Sequence, residues 1–157
     1  MVESTKPKRT LEADYRMALL IGYSSKGTSN PLPSVDEDLL VMENFIKTLG
    51  FDEIVVLKDD EATEQSVTNY FTRLAYRSLE HQEKNSGKKF LTITYYSGHG
   101  GIEFATLRVT LDDCVYPLEL KIRQFKNEYP KNTYNIGVFD TCRFATRDPR
   151  HTVGPMK

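Results

Sequence analysis

The sequence predicts an α/β domain: a mostly parallel sheet of about four strands with helices on both faces, and a small β-hairpin beside it. Three observations carry that prediction. Apolar, β-branched runs alternate with segments of helical period three times along the chain, the pattern of a parallel sheet covered on both sides. The first run, Arg16 to Gly22, is continuously apolar after its arginine, as a strand buried on both faces is. Two runs end abruptly in small or polar residues next to a chemically active side chain, and in open sheets that strand end is where ligands and chemistry gather. The 157 residues suit one domain with a core of its own.

The elements follow in order. Ser24 to Pro33 is rich in Ser, Gly, Asn and Pro and reads as a loop. Ser34-Val35-Asp36-Glu37 has the form of a capping box, and Leu39, Met42, Phe45, Ile46 and Leu49 then mark an amphipathic helix. Gly50 stops that helix in the usual position after its C-terminus. Glu53 to Leu57 is a second strand. Val67, Tyr70, Phe71, Leu74 and Ala75 place a second helix over Thr63 to Glu80. A charged connection from Glu83 to Lys89, turning at Asn85-Ser86-Gly87, leads to the strand that begins at Phe90. Ile102 to Pro117 alternates apolar and polar residues and reads as a hairpin turning at Asp112-Asp113. Leu118, Leu120, Ile122 and Phe125 mark a third helix ending before Pro130, and Tyr134 to Phe139 is the fourth strand. Residues 1–15 are expected to be a mobile arm, 16–145 the domain, and 146–157 an irregular tail.

Composition narrows the function classes. The formal charge is −1, from 21 basic and 22 acidic residues, so no global field calls for nucleic acid or an anionic membrane. No apolar run approaches the ~18 residues of a membrane span. Residues 1–10 carry Lys6, Lys8 and Arg9 without an apolar core, so they do not form a secretory signal. Cys114 and Cys142 are the only cysteines, no disulfide framework, and a reducing cytoplasmic setting is the default expectation. No cluster has metal-ligand spacing and there is no phosphate loop, so no metal or cofactor is expected.

The chemistry sits at two strand ends. One strand runs into Ser97-Gly98-His99-Gly100-Gly101 and the other into Asp140-Thr141-Cys142-Arg143. A lone strand-end cysteine is usually structural, and so is a lone Gly-His-Gly. Together, 43 positions apart at matching strand ends, they form a candidate dyad. The imidazole of His99 can help generate the Cys142 thiolate or protonate a leaving amine. Gly100 allows a backbone N–H to approach a substrate carbonyl. With the Cys142 N–H it can form an oxyanion hole, worth about 3 kcal/mol per donor. Cys114 reads as a packing residue, and His81 and His151 as solvated ones.

These paired motifs resemble the caspase-like cysteine peptidases, and most closely the paracaspase and metacaspase branch. Tyr95-Tyr96-Ser97-Gly98-His99-Gly100 resembles the family's histidine motif and Asp140-Thr141-Cys142 its Asp-x-Cys. Ala18 to Gly22 is similar to the first strand, Leu32 to Leu40 to the entry of the first helix, and Cys114-Val115-Tyr116-Pro117 to a metacaspase segment after the histidine loop. The resemblance covers residues 16 to 145. It implies a three-layer caspase-like sandwich and a Cys–His dyad endopeptidase acting on protein or peptide substrates. Caspases bind a substrate aspartate through an arginine ahead of the first helix. Leu32 stands at that position, which argues against aspartate specificity. The resemblance instead implies acidic residues for a basic P1 side chain, arginine ahead of lysine. Asp38 and Asp140 fall at the matching places, with Ser97 on the same rim. Asp36 and Glu37 equally suit a carboxylate cluster at a helix N-terminus.

The chain departs from the family in three ways. Phe144 replaces a small residue after the Cys-Arg pair. The paired aspartates that help bind calcium in many metacaspases have no clear match after Pro117, and Asp112-Asp113 assigns no calcium site. Only 15 residues follow Cys142, so the last strands of the family fold are absent from this stretch, which corresponds to the large-subunit half. A small subunit, a second copy or an assembly partner is therefore expected along the Cys142 strand. Arg147 and Arg150 lie in a polar loop where such an enzyme could cut its own precursor. The competing readings are a non-catalytic caspase-like module acting as scaffold, and a thiol hydrolase of another class on the same sheet.

Overall fold

The computed structural model describes residues 13–84, 89–129, 133–141 and 144–145. Nine-residue β1 (Tyr15–Tyr23) opens the fold. It is followed by α1 (Val35–Thr48), β2 (Glu53–Lys58), a 3₁₀ turn (Asp59–Glu61) and α2 (Glu64–Lys84). Then come β3 (Phe90–Gly98), β4 (Gly100–Glu103), β5 (Thr106–Thr110), β6 (Val115–Tyr116), α3 (Leu118–Glu128), β7 (Thr133–Asp140) and β8 (Phe144–Ala145).

The main sheet has the order β2-β1-β3-β7, with every pair parallel, so the four strands end on one edge. Alternation along β1 sends Met17, Leu19 and Ile21 to one face and Ala18 and Leu20 to the other. The first face is covered by α2 and α3 through Val67, Phe71, Leu74, Leu118 and Phe125. The second is covered by α1 through Val35, Leu39 and Ile46. This is the predicted three-layer α/β arrangement. Gly22 lets the start of α1 settle onto the strand ends. A Cβ there would run into Leu39 and lie 2.8 Å from Val35 Cγ1.

Three local expectations need correction. Ser34 is the N-cap of α1 but is already in the helical region, with φ −68° and ψ −17°, and its side chain makes no capping bond. The hairpin turning at Asp112-Asp113 is present as β5–β6, but the segment from Ile102 to Pro117 carries one strand more, in a three-strand meander of β4, β5 and β6. Its first turn is Phe104-Ala105, with φ of 49° and 58°. Two positive φ values make a primed hairpin turn that asparagine and glycine normally supply, which is why composition did not reveal it. His81 does not stand in solvent. Its ring packs 5.9 Å from Tyr15 and 5.8 Å from Phe90, centroid to centroid.

The second, small sheet has the order β6-β5-β4-β8. Its β4·β8 pair is parallel, joining Gly101 to Phe144 and Ile102 to Ala145. Among the described residues no helix is long and apolar enough to cross a membrane.

Candidate active site

His99 lies between β3 and β4, at the edge where the parallel strands end. Its imidazole Nε2 is 2.7 Å from the carbonyl oxygen of Asn30. A carbonyl only accepts, so Nε2 carries the proton and the Nδ1 lone pair is left for other chemistry. The loop that supplies Asn30 is anchored to the end of β2. Asp59 accepts from the Ser24 N–H at 2.9 Å and from the Ser24 hydroxyl at 2.6 Å. Lys26 pairs with Asp59 at 3.4 Å and with Asp36 at 3.7 Å. Burial works against the Asp59 carboxylate, but the two Ser24 hydrogen bonds and the Lys26 ammonium hold its pKa below the usual range.

Gly100 pairs with Val109 across the β4–β5 hairpin. The Thr110 N–H reaches the His99 carbonyl at 2.9 Å, so the hydrogen-bonded pair is 99 with 110 and the Gly100 N–H faces away from β5. Gly100 also lies against the other motif. A Cβ there would lie 2.6 Å from Thr141 Oγ1. Cys142 itself lies outside the described residues, as do Arg143, Arg147, Arg150, His151, the turn at 85–87 and the segments 1–12 and 146–157.

The three acidic-rim residues come together on the α1 side of the sheet. Ser97 is buried and donates its hydroxyl to Asp38 Oδ2 at 2.9 Å. Asp140 is the register partner of Ser97. Tyr95 lies one pleat below, and burial, then the charges of Asp140 and Asp38, push its phenol pKa up. Asp36 points elsewhere, pairing with Lys58 at 3.0 Å. Leu32 packs against the apolar cluster under α1.

Cys114 is half-buried against the core. Burial, then the carboxylates of Asp113 and Glu64, push its thiol pKa to about 11, so it stays protonated near neutrality. Asp113 has a structural task, accepting the Glu64 N–H at the start of α2 at 2.9 Å. Asn30, Asp59, Tyr96 and Thr141 were not singled out from the sequence. Only their position around His99 identifies them, and no residue-type pattern announces a backbone carbonyl or a neighbouring loop.

Comparison with known proteins follows the same lines. The family profile described as "Caspase domain" matches residues 15–155. Metacaspase-1 of Debaryomyces hansenii is 26% identical over 113 residues, covering 68% of this chain and 25% of that protein. Metacaspase-9 of Arabidopsis thaliana is 26% identical over 140 residues, covering 81% of this chain and 42% of that protein. Metacaspase-1 of Meyerozyma guilliermondii is 29% identical over 90 residues, covering 55% of this chain and 22% of that protein. The chain therefore spans less than half the length of these curated relatives.

Proposed function

The chain belongs to the caspase-domain family, with metacaspases among its relatives, and on that premise we propose that it is the dyad-bearing part of a cysteine endopeptidase cutting after basic residues. The observation that carries the proposal is a shared register. β3 and β7 pair at an offset of 43 residues as far as Ser97 and Asp140 (140 − 97). β4 and β8 resume at the same offset with Gly101 and Phe144 (144 − 101). His99 and Cys142 are separated in sequence by that same 43. The spacing of the dyad thus equals the register of the strand pairs that flank it.

The chemistry follows from the site. The Cys142 thiol gives its proton to His99 Nδ1, while Nε2–H stays tied to Asn30. The thiolate attacks the scissile carbonyl carbon, and the resulting oxyanion takes the N–H of Gly100 and that of Cys142. The imidazolium then gives its proton to the leaving amine as the C–N bond breaks. Water, deprotonated by the same imidazole, opens the thioester and returns the thiol. Asp38 and Asp140 supply the negative rim for a P1 guanidinium. A forked, charge-assisted contact suits arginine better than lysine.

The reading includes a partner. Among the described residues β7 has no neighbour on its outer side, and Tyr134, Ile136 and Val138 are each more than a third exposed on the α1 side. A strand edge of this kind needs covering, and a separate subunit or a second copy along β7 would complete the sheet and the substrate groove.

The test is labelling with electrophilic peptides bearing Arg, Lys, Asp or Ala at P1. Cys142 is expected to take the label, fastest with Arg. Cys142→Ala abolishes labelling, Cys114→Ser leaves it, and Asp38→Asn or Asp140→Asn slows basic probes more than neutral ones. Preference for Asp, or labelling of Cys114 alone, overturns the proposal.

A further inference from the structure

Tyr96 is fully buried in the layer beneath α2 and α3. Its phenol oxygen lies 2.8 Å from the His99 carbonyl and 2.7 Å from the Thr110 carbonyl. Both partners only accept, so the hydroxyl is the donor, shared between the two oxygens. Space for it is made by Gly98, which adopts φ +154°. A Cβ at Gly98 would run into the Tyr96 hydroxyl and lie 2.9 Å from the Tyr23 carbonyl. Phenylalanine would fill the same core volume, so packing alone does not call for the hydroxyl.

What the hydroxyl holds is a peptide plane. The His99 carbonyl and the Gly100 N–H belong to one planar trans unit and point in opposite directions. The carbonyl is pinned from one side by the Thr110 N–H at 2.9 Å and the Tyr96 hydroxyl. The Gly100 N–H is thereby aimed at the opposite side, away from β5. An oxyanion donor is useful only when its direction is set before charge develops.

We propose that Tyr96 is a positioning residue for the oxyanion hole, its hydroxyl locking the His99–Gly100 peptide so that the Gly100 N–H faces the developing oxyanion. The inference rests on the peptidase reading of His99 and Cys142, and it separates two reactions of the same thiol. Alkylation by iodoacetamide displaces iodide at a saturated carbon and forms no oxyanion. Addition of the thiol to a peptide aldehyde turns the carbonyl oxygen into one.

The experiment compares wild type, Tyr96→Phe and Tyr70→Phe for both reactions, on the same preparation and with a basic residue at P1 of the aldehyde. Tyr70→Phe removes a buried hydroxyl that has no hydrogen-bond partner among the described residues, so it controls for loss of a core oxygen. Removing an oxyanion donor outright costs about 10²–10³ in rate, and a donor that is only loosened is expected to cost about tenfold. Tyr96→Phe is therefore expected to alkylate within about twofold of wild type while losing about tenfold in aldehyde affinity. Tyr70→Phe should change neither. If Tyr96→Phe weakens both reactions alike, the hydroxyl merely supports the fold and the inference is wrong. If it weakens neither, the peptide is held without it and the inference is also wrong. A wild type that, with its β7 partner supplied, alkylates at Cys142 yet binds no aldehyde refutes the peptidase reading together with this inference.

Discussion

Substituting Gly100 by alanine tests whether the two motif-bearing segments touch. A Cβ at residue 100 would lie 2.6 Å from Thr141 Oγ1, 3.1 Å from Thr141 Cγ2 and 3.0 Å from the Arg108 carbonyl. Two of these contacts come from the branches of one threonine, so rotating its side chain tends to exchange one clash for the other. The third is backbone in the β4–β5 ladder and cannot swing away. The cost belongs in the range of overpacked positions, about 1–3 kcal/mol. Thr141→Ala removes the first two contacts and leaves the third, so Gly100→Ala should cost about 1 kcal/mol less in that background. Urea denaturation of the wild type, both single variants and the double variant measures the coupling directly. Costs that add to within about 0.5 kcal/mol would mean that Gly100 and Thr141 are not neighbours. The two motif-bearing segments would then not touch at Gly100.

Two further outcomes follow from the structure. Amides of β7 alternate between pointing at β3 and pointing outward, so in the isolated chain hydrogen exchange over residues 134–139 should be slow and fast by turns, and addition of a complementing subunit should slow the fast set. Uniform protection in a proven monomer would show the edge already covered. Asp59→Asn should destabilise the fold at neutral pH by about 1 kcal/mol, mostly through the Ser24 contacts because the exposed Lys26 pair contributes little. The Asp59 pKa is lowered on folding, so its contribution is present above the ordinary carboxylate range and is lost as pH falls through the lowered value. The difference from wild type in denaturant melts should therefore close in acid. A difference that persists there would place the effect outside the ionised carboxylate.

What could be read in advance was what depends on residue type. Continuous apolar runs mark β1 and β3 because the two central strands are covered on both faces and have no polar side. Gly50 stops α1 as read, with φ 66°. Asp38 and Asp140 could be separated from Asp36 only through the family's motif, and the geometry then puts Asp38 on Ser97 and Asp36 on Lys58. What could not be read depends on backbone. Phe104 and Ala105 adopt the left-handed region at a cost of roughly 1–2 kcal/mol each, and nothing in a Phe-Ala pair signals that. The sequence neighbours of His81 are polar, whereas α2 turns its ring inward to Tyr15 and Phe90.

The Tyr95-Tyr96 pair shows how a strand divides labour between two faces. Successive side chains point to opposite sides of the sheet. Tyr95 therefore lies under α1, where burial and the charges of Asp140 and Asp38 push its phenol pKa up. Tyr96 points the other way, into the core, and returns only through its hydroxyl to the carbonyl of His99. The pleat thus sets the order of contacts along β3: odd positions from Ile93 through Tyr95 to Ser97 lead to Asp38 and Asp140, and Tyr96 reaches the carbonyl of His99.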